Sequence, residues 1–194
     1  AMPATTEWQR LAADALIDDA YALQREIARR VAAGLNAAFG SPIQWMPDGR
    51  SVIARLVPAD RGHTPVAPQA PGGPIVQESI GRTAAARTYE DLIRTQADEA
   101  LFDHYFTGTL ARIDLADGSV RAVAGKGLWR RFSVSPDGRY LLTERLKRPY
   151  SYLLPASFFP TEIAVQPIGG EGQGRVLVDR PLADDLPVDF DAVV

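Results

Sequence analysis

Apolar residues recur at three- and four-residue steps over residues 7–33, at Trp8, Ala12, Leu16, Ala20, Leu23, Ile27 and Val31. That spacing lays one apolar stripe along a helix. Thr6 and Gln9 form a capping box, Asp14, Asp18 and Asp19 lie toward the start, and Arg25, Arg29 and Arg30 toward the end. Gly34 falls where a left-handed C-cap belongs. The stripe predicts a helix packed on the core of its own domain; a partner-binding or dimerising helix is the other reading.

After Gly34 the period changes to two. "IQWMPDGRSVIARLV" (43–57) and "RFSVSPDGRYLLTERL" (131–146) share an aromatic residue, a spacer, Pro-Asp-Gly-Arg and a β-rich run. Each predicts a strand, a tight turn and a strand. Proline presets the first turn position, aspartate accepts turn hydrogen bonds, and glycine takes positive φ. Each is followed by a further strand-turn-strand stretch, "TGTLARIDLADGSVRAVAG" (107–125) and "TEIAVQPIGGEGQGRVLVD" (161–179). The expected fold is therefore mainly β, with two four-stranded blades of the β-propeller type, a helical insertion and an N-terminal α-helix. The domain division is 1–34 for the helix and 35–194 for a partial propeller.

Pro47 and Pro136 lie 89 residues apart, too far for one blade of roughly 40–50 residues. Residues 58–106 account for the excess. "PADRGHTPVAPQAPGGP" (58–74) is too rich in proline and glycine for ladders, whereas "RTYEDLIRTQADEALFDHYF" (87–106) carries helical spacing at Leu92, Ile93, Ala97, Leu101, Phe102 and Tyr105. One or two short helices are expected there.

The 194 residues suit one domain, and 46% apolar with 23% charged content is ordinary globular usage. A net charge of −3 removes the broad basic footprint of a nucleic-acid binder. The chain has no cysteine, which excludes disulfides, thiolate catalysis and Cys-based metal sites. No apolar stretch reaches membrane-spanning length and no signal-peptide layout opens the chain, so a soluble protein of undetermined compartment is expected.

Candidate chemistry is sparse. No G-x-S-x-G elbow occurs; "QESIG" (77–81) has Gln77 where the first glycine is needed. His63 and His104 are the two histidines, so a complete Ser-His-Asp triad is not expected. Asp103 and His104 are helix neighbours whose side chains diverge, and "ADDLPVDFD" (183–191) lacks calcium-loop spacing. No metal or cofactor is expected. "IGGEGQG" (168–174) precedes no helix and reads as the hairpin joining two strands. The strongest polar candidate is "RLKRPY" (145–150): Arg145 and Lys147 share a strand face, and Pro149 ends the ladder and releases Arg148 and Tyr150 into a loop mouth. There a guanidinium can hold a carboxylate through two hydrogen bonds. A charged edge that discourages strand addition explains the same residues.

Several stretches together resemble the prolyl-oligopeptidase-like serine peptidases, in the glutamyl endopeptidase branch. They are "LNAAFGSPIQWMPDG", "GRTAAARTYEDL", "DEALFDHYFTGTL", "SPDGRYLLTERLKRPYSYLLPASFFP" and "PLADDLPVDFDAVV". The resemblance covers most of 35–194. It implies a β-propeller gating an α/β-hydrolase domain that holds the catalytic serine, aspartate and histidine, so no enzyme activity is expected on this chain. Peptide substrate and that catalytic domain are the implied partners. Arg148 and Tyr150 match the family's R-P-Y motif and Arg87 its R-T-Y motif; with Arg145 they are the substrate-contact candidates, and inter-blade anchoring explains the arginines equally well. A stand-alone interaction module, self-associating through exposed blade edges, is the alternative function, and a self-sufficient hydrolase a third.

Overall fold

A computed structural model describes residues 34–66, 92–169 and 174–183, together with Ala22, Arg25, Glu26, Arg29 and Val31. The chain is mainly β. Seven strands follow one another as β1 (Ile43–Trp45), β2 (Ser51–Leu56), β3 (Gly108–Asp114), β4 (Val120–Val134), β5 (Tyr140–Leu146), β6 (Thr161–Pro167) and β7 (Arg175–Arg180). They pair antiparallel in that same order within one sheet. Helix α1 (Gln96–Phe106) lies between β2 and β3, in the second part of the expected insertion.

The two Pro-Asp-Gly-Arg turns close alike. Gly49 N donates to Met46 O at 3.0 Å, and Gly138 N to Ser135 O at 2.9 Å. Both glycines take positive φ, +64° and +70°, where a Cβ would be strained. Asp48 Oδ1 accepts from Arg50 N at 2.8 Å and Asp137 Oδ1 from Arg139 N at 3.1 Å, the turn role expected of each aspartate.

The stretch between the two hairpin pairs differs from expectation. The sequence pattern separates 107–125 from 131–146, yet Val120–Val134 is one strand of 15 residues. Its first part pairs with β3, ending at Gly108 opposite Gly127, and its second part with β5, from Leu128 opposite Leu146. The physical reason is that "AGKGLWRRF" holds no turn-forming residue other than glycine, and glycine there bends the ladder without ending it. At the bend the Trp129 indole folds back to donate to Gly125 O at 2.9 Å, and its ring fills the space beside Gly127, 2.9 Å from where a Cβ would stand.

Strand alternation sorts the apolar residues into layers. Ile53 and Leu110 from the first four strands meet Trp129 and Leu141 from the last four, with Met46 and Ile168, in one buried cluster. On the reverse side of β2 and β3, Val52, Ala54 and Ile113 are covered by Val31 and Leu35. Val31 is helical, so the end of the N-terminal helical stretch packs on this chain's own core; residues 1–21 lie outside the described residues.

Candidate functional site

Two of the expected polar candidates, Arg148 and Tyr150, converge on α1. Thr95 caps this helix: its hydroxyl accepts from Asp98 N at 3.1 Å while Asp98 Oδ2 accepts from Thr95 N at 3.0 Å. The Arg94 backbone N–H, which donates to the same Oδ2 at 3.0 Å, and then Thr95 stabilise the ionised form and hold the Asp98 carboxyl below its usual range. At the other end Asn36 Nδ2 donates to Tyr105 O at 3.1 Å and Thr107 O at 2.8 Å, satisfying carbonyls that the helix leaves unpaired. Beneath the helix, Phe102 and Phe106 pack with Phe39, Tyr150 and Phe159, and the Phe102 and Phe106 rings stack at 4.5 Å.

Glu99 and Asp103 are one turn apart and point to the same side. Arg148 spans them, Nη1 bonding Glu99 Oε2 and Nη2 lying 2.5 Å from Asp103 Oδ2. Its guanidinium also sits 4.6 Å from the Tyr150 ring centroid. Hydrogen bonds to Asp103 and Glu99 hold the Arg148 proton more tightly than usual. Tyr150 donates its hydroxyl to Asp103, and Tyr152 donates to Glu99 Oε1 at 3.0 Å. Burial, then the Asp103 bond, pushes the Tyr150 phenol up. The R-P-Y-S-Y stretch is thus laced to α1 by two carboxylates. The Arg148–Pro149 peptide is cis.

Tyr150 differs from the sequence expectation. Pro149 does end the ladder, but Tyr150 is only 6% exposed, drawn into the aromatic cluster under α1 rather than released to a mouth. Arg148 remains half exposed. Arg145 lies on β5 above Trp129, its Nη2 donating to Glu162 Oε2 at 3.0 Å. Lys147 reaches Asp179 on β7. Arg87 falls outside the described residues.

A depression of about 430 Å³ opens beside this cluster, with Lys126, Arg145, Lys147 and Arg148 on its walls and Asp103 the one acidic residue. Each of those cations is held by a carboxylate of its own chain, Lys126 by Asp60. A second groove, about 530 Å³, runs past Ile43, Phe132, Leu142 and Ile163. His104 Nε2, which lines neither, stands 3.4 Å from Thr64 Oγ1, and Asp103 is engaged by Arg148. Among the described residues no three metal-ligating side chains cluster, and no helix is long and apolar enough to cross a membrane.

Sequence reasoning missed Arg55, the largest fully buried side chain among the described residues. It donates from Nε to Asn36 O at 2.8 Å, from Nη1 to Trp129 O at 2.7 Å and from Nη2 to Gly40 O at 3.2 Å. It ties the loop after Leu35 to the bend in β4. Burial lowers its pKa. The available signal was its position in "SVIARLV", in phase with buried Ile53.

No family model matches the chain. Two curated proteins do, each named "Probable glutamyl endopeptidase, chloroplastic". The one from Oryza sativa subsp. japonica is 34% identical over 79% of this chain, and the one from Arabidopsis thaliana 34% identical over 82%. In sequence, the chain resembles a segment of a glutamyl endopeptidase. It spans only 16% of the length of either relative. The likeness read from the R-T-Y, R-P-Y-S-Y and S-P-D-G stretches is confirmed at that level, and it attaches to a part of such a protein.

Proposed function

We propose that this chain is a non-catalytic β-propeller segment of a glutamyl-endopeptidase-like serine peptidase. In the full-length protein it would restrict entry and touch peptide substrate, while bond cleavage takes place on a separate α/β-hydrolase domain. One observation carries the reading. Aligning Pro47 with Pro136 sets Ser51, Ile53 and Arg55 against Tyr140, Leu142 and Glu144. Ile53 lies in the cluster shared with the second group of strands, whereas its counterpart Leu142 lies outside that cluster, 42% exposed. Units that present one face forward and the other back stack in series, as propeller blades do. On this reading β1 to the first part of β4 is one blade, the rest of β4 to β7 the next, and residues 1–34 lie outside the propeller.

The basic depression supports substrate contact. Arg145, Arg148 and Tyr150 line it; Arg87, outside the described residues, is a contact candidate by its motif alone. An acidic peptide would meet these arginines by exchange with Glu99, Asp103 and Glu162. Arg148→Ala in the full-length parent tests this: kcat/KM should fall more for acidic than for neutral substrates, and equal losses would remove the contact role. Labelling of the 194-residue chain itself by a fluorophosphonate serine probe would overturn the non-catalytic assignment. A stand-alone interaction module is favoured by a different observation, the edge of β7, which no described strand covers.

A further inference from the structure

We propose that β7 is a self-pairing edge through which two copies of this chain join their sheets about a two-fold axis. β7 ends the strand order, with β6 on one side and no described strand on the other. All six of its residues are exposed, Val176, Leu177 and Val178 by 50%, 51% and 43%. It carries no proline to blunt the edge, whereas β1, at the other end of the sheet, is three residues long and follows Pro42.

The sequence of β7 selects the occupant. In "RVLVD" (175–179) a cation, three apolar residues and an anion stand in order. Antiparallel pairing centred on Leu177 sets Val176 against Val178 of the second copy and Arg175 against Asp179 of the second copy, twice over by symmetry, with Asp179 shared between that arginine and its own chain's Lys147. Opposite charges and branched side chains across strands stabilise a ladder, and like charges disfavour it. Within the chain Ile163 pairs with Val178 and Ala164 with Val176, which leaves Leu177 in a bulge on the β6 side of the strand; pairing across the outer edge has to draw that bulge straight. A two-fold interface is closed, so the assembly stops at two. In a longer chain the proposal rests on the blade reading above, in which β7 is the outer strand and its edge stays available; in the 194-residue chain it rests on the strand order alone.

Sedimentation and light scattering of the 194-residue protein should give a concentration-dependent dimer of the 21.1 kDa chain. Leu177→Lys, at an exposed position, should leave the β-type dichroism unchanged and yield a monomer. Arg175→Asp should raise the dimer Kd about tenfold or more, and adding Asp179→Arg should restore it to within about threefold. Because the chain has no cysteine, Leu177→Cys gives a single reporter. Directly opposed strand residues lie roughly 4.5–5.5 Å apart at Cα, within disulfide reach, so oxidation should produce a covalent dimer. Leu153→Cys, exposed in the loop after Tyr152, should not cross-link comparably. A monomer at all concentrations, a dimer indifferent to Leu177→Lys and Arg175→Asp, no rescue by the double variant, or equal cross-linking at both cysteines would overturn the proposal.

Discussion

Arg55 offers the sharpest perturbation, because its whole side chain is enclosed and its hydrogen-bond acceptors are backbone carbonyls from two separate parts of the chain. Arg55→Met keeps most of the volume and removes every donor. Three close carbonyls, of Asn36, Gly40 and Trp129, and a longer contact to Arg130 O at 3.4 Å then lose this donor, at about 1–3 kcal/mol for each close one that water cannot reach. Removing a desolvated cation works the other way, since apolar replacements of buried charges are sometimes neutral. The carbonyls decide the sign here, because a side chain without donors cannot serve them and the loop 36–40 loses its tie to β4. A net loss of about 3 kcal/mol follows, or roughly 6–12 °C in Tm for a chain of this size. Arg55→Lys should fall comparably, because one ammonium cannot reach three diverging acceptors. Thermal and urea unfolding followed by Trp fluorescence and dichroism measure both. A Met variant as stable as the parent, or more so, would refute the reasoning by showing that charge burial outweighs the carbonyl bonds.

Gly127→Ala should cost about 1–3 kcal/mol, since the new methyl would enter the Trp129 ring, while Gly125→Ala, with nothing near its Cβ position, should cost under about 1 kcal/mol; urea titration compares them. Tyr150→Phe should cost about 1.5–3 kcal/mol through the lost bond to Asp103. It should also change the alkaline limb: the raised Tyr150 pKa contributes stability that is present below the ordinary phenol value near 10 and lost as pH rises toward the higher folded value, so the parent should destabilise there more than the Phe variant. Asp48, Asp98 and Asp137 have lowered values, so their contributions are present above about pH 4 and fade as pH falls below it, which Tm measured from pH 6 to pH 2 will register. Arg148→Ala should change global stability by about 1 kcal/mol, since Arg148 is half exposed and Tyr150 and Tyr152 still bond Asp103 and Glu99, yet speed amide exchange across 96–106 selectively.

The hairpins were legible because local chemistry decides them. Pro47, Asp48 and Gly49, like Pro136, Asp137 and Gly138, fix the turns without help from distant residues, and alternation set the inward faces of β2 and β5. Helix α1 was legible from its apolar spacing. What the sequence concealed depends on long-range packing. Nothing local says that the chain continues as one strand through Gly125 and Gly127; the Trp129 ring, folded back on the bend, settles that. Tyr150 reads as a loop residue until Phe102 and Phe159 enclose it. Glu99 and Asp103 carry the right spacing for one helix face, but the meeting of Asp103 with Arg148 joins residues 45 positions apart. Arg55 reads as a surface cation until the 36–40 loop and the bend of β4 close around it.

The central claim is that two groups of antiparallel strands, linked through β4, bury one apolar layer between them. Methyl and indole nuclear Overhauser contacts in the 194-residue protein measure that layer directly. Ile53 and Leu110 should each show contacts to the layer formed with Trp129 and Leu141. Contacts confined to either group alone, with none crossing between residues before Gly125 and those after it, would contradict the account.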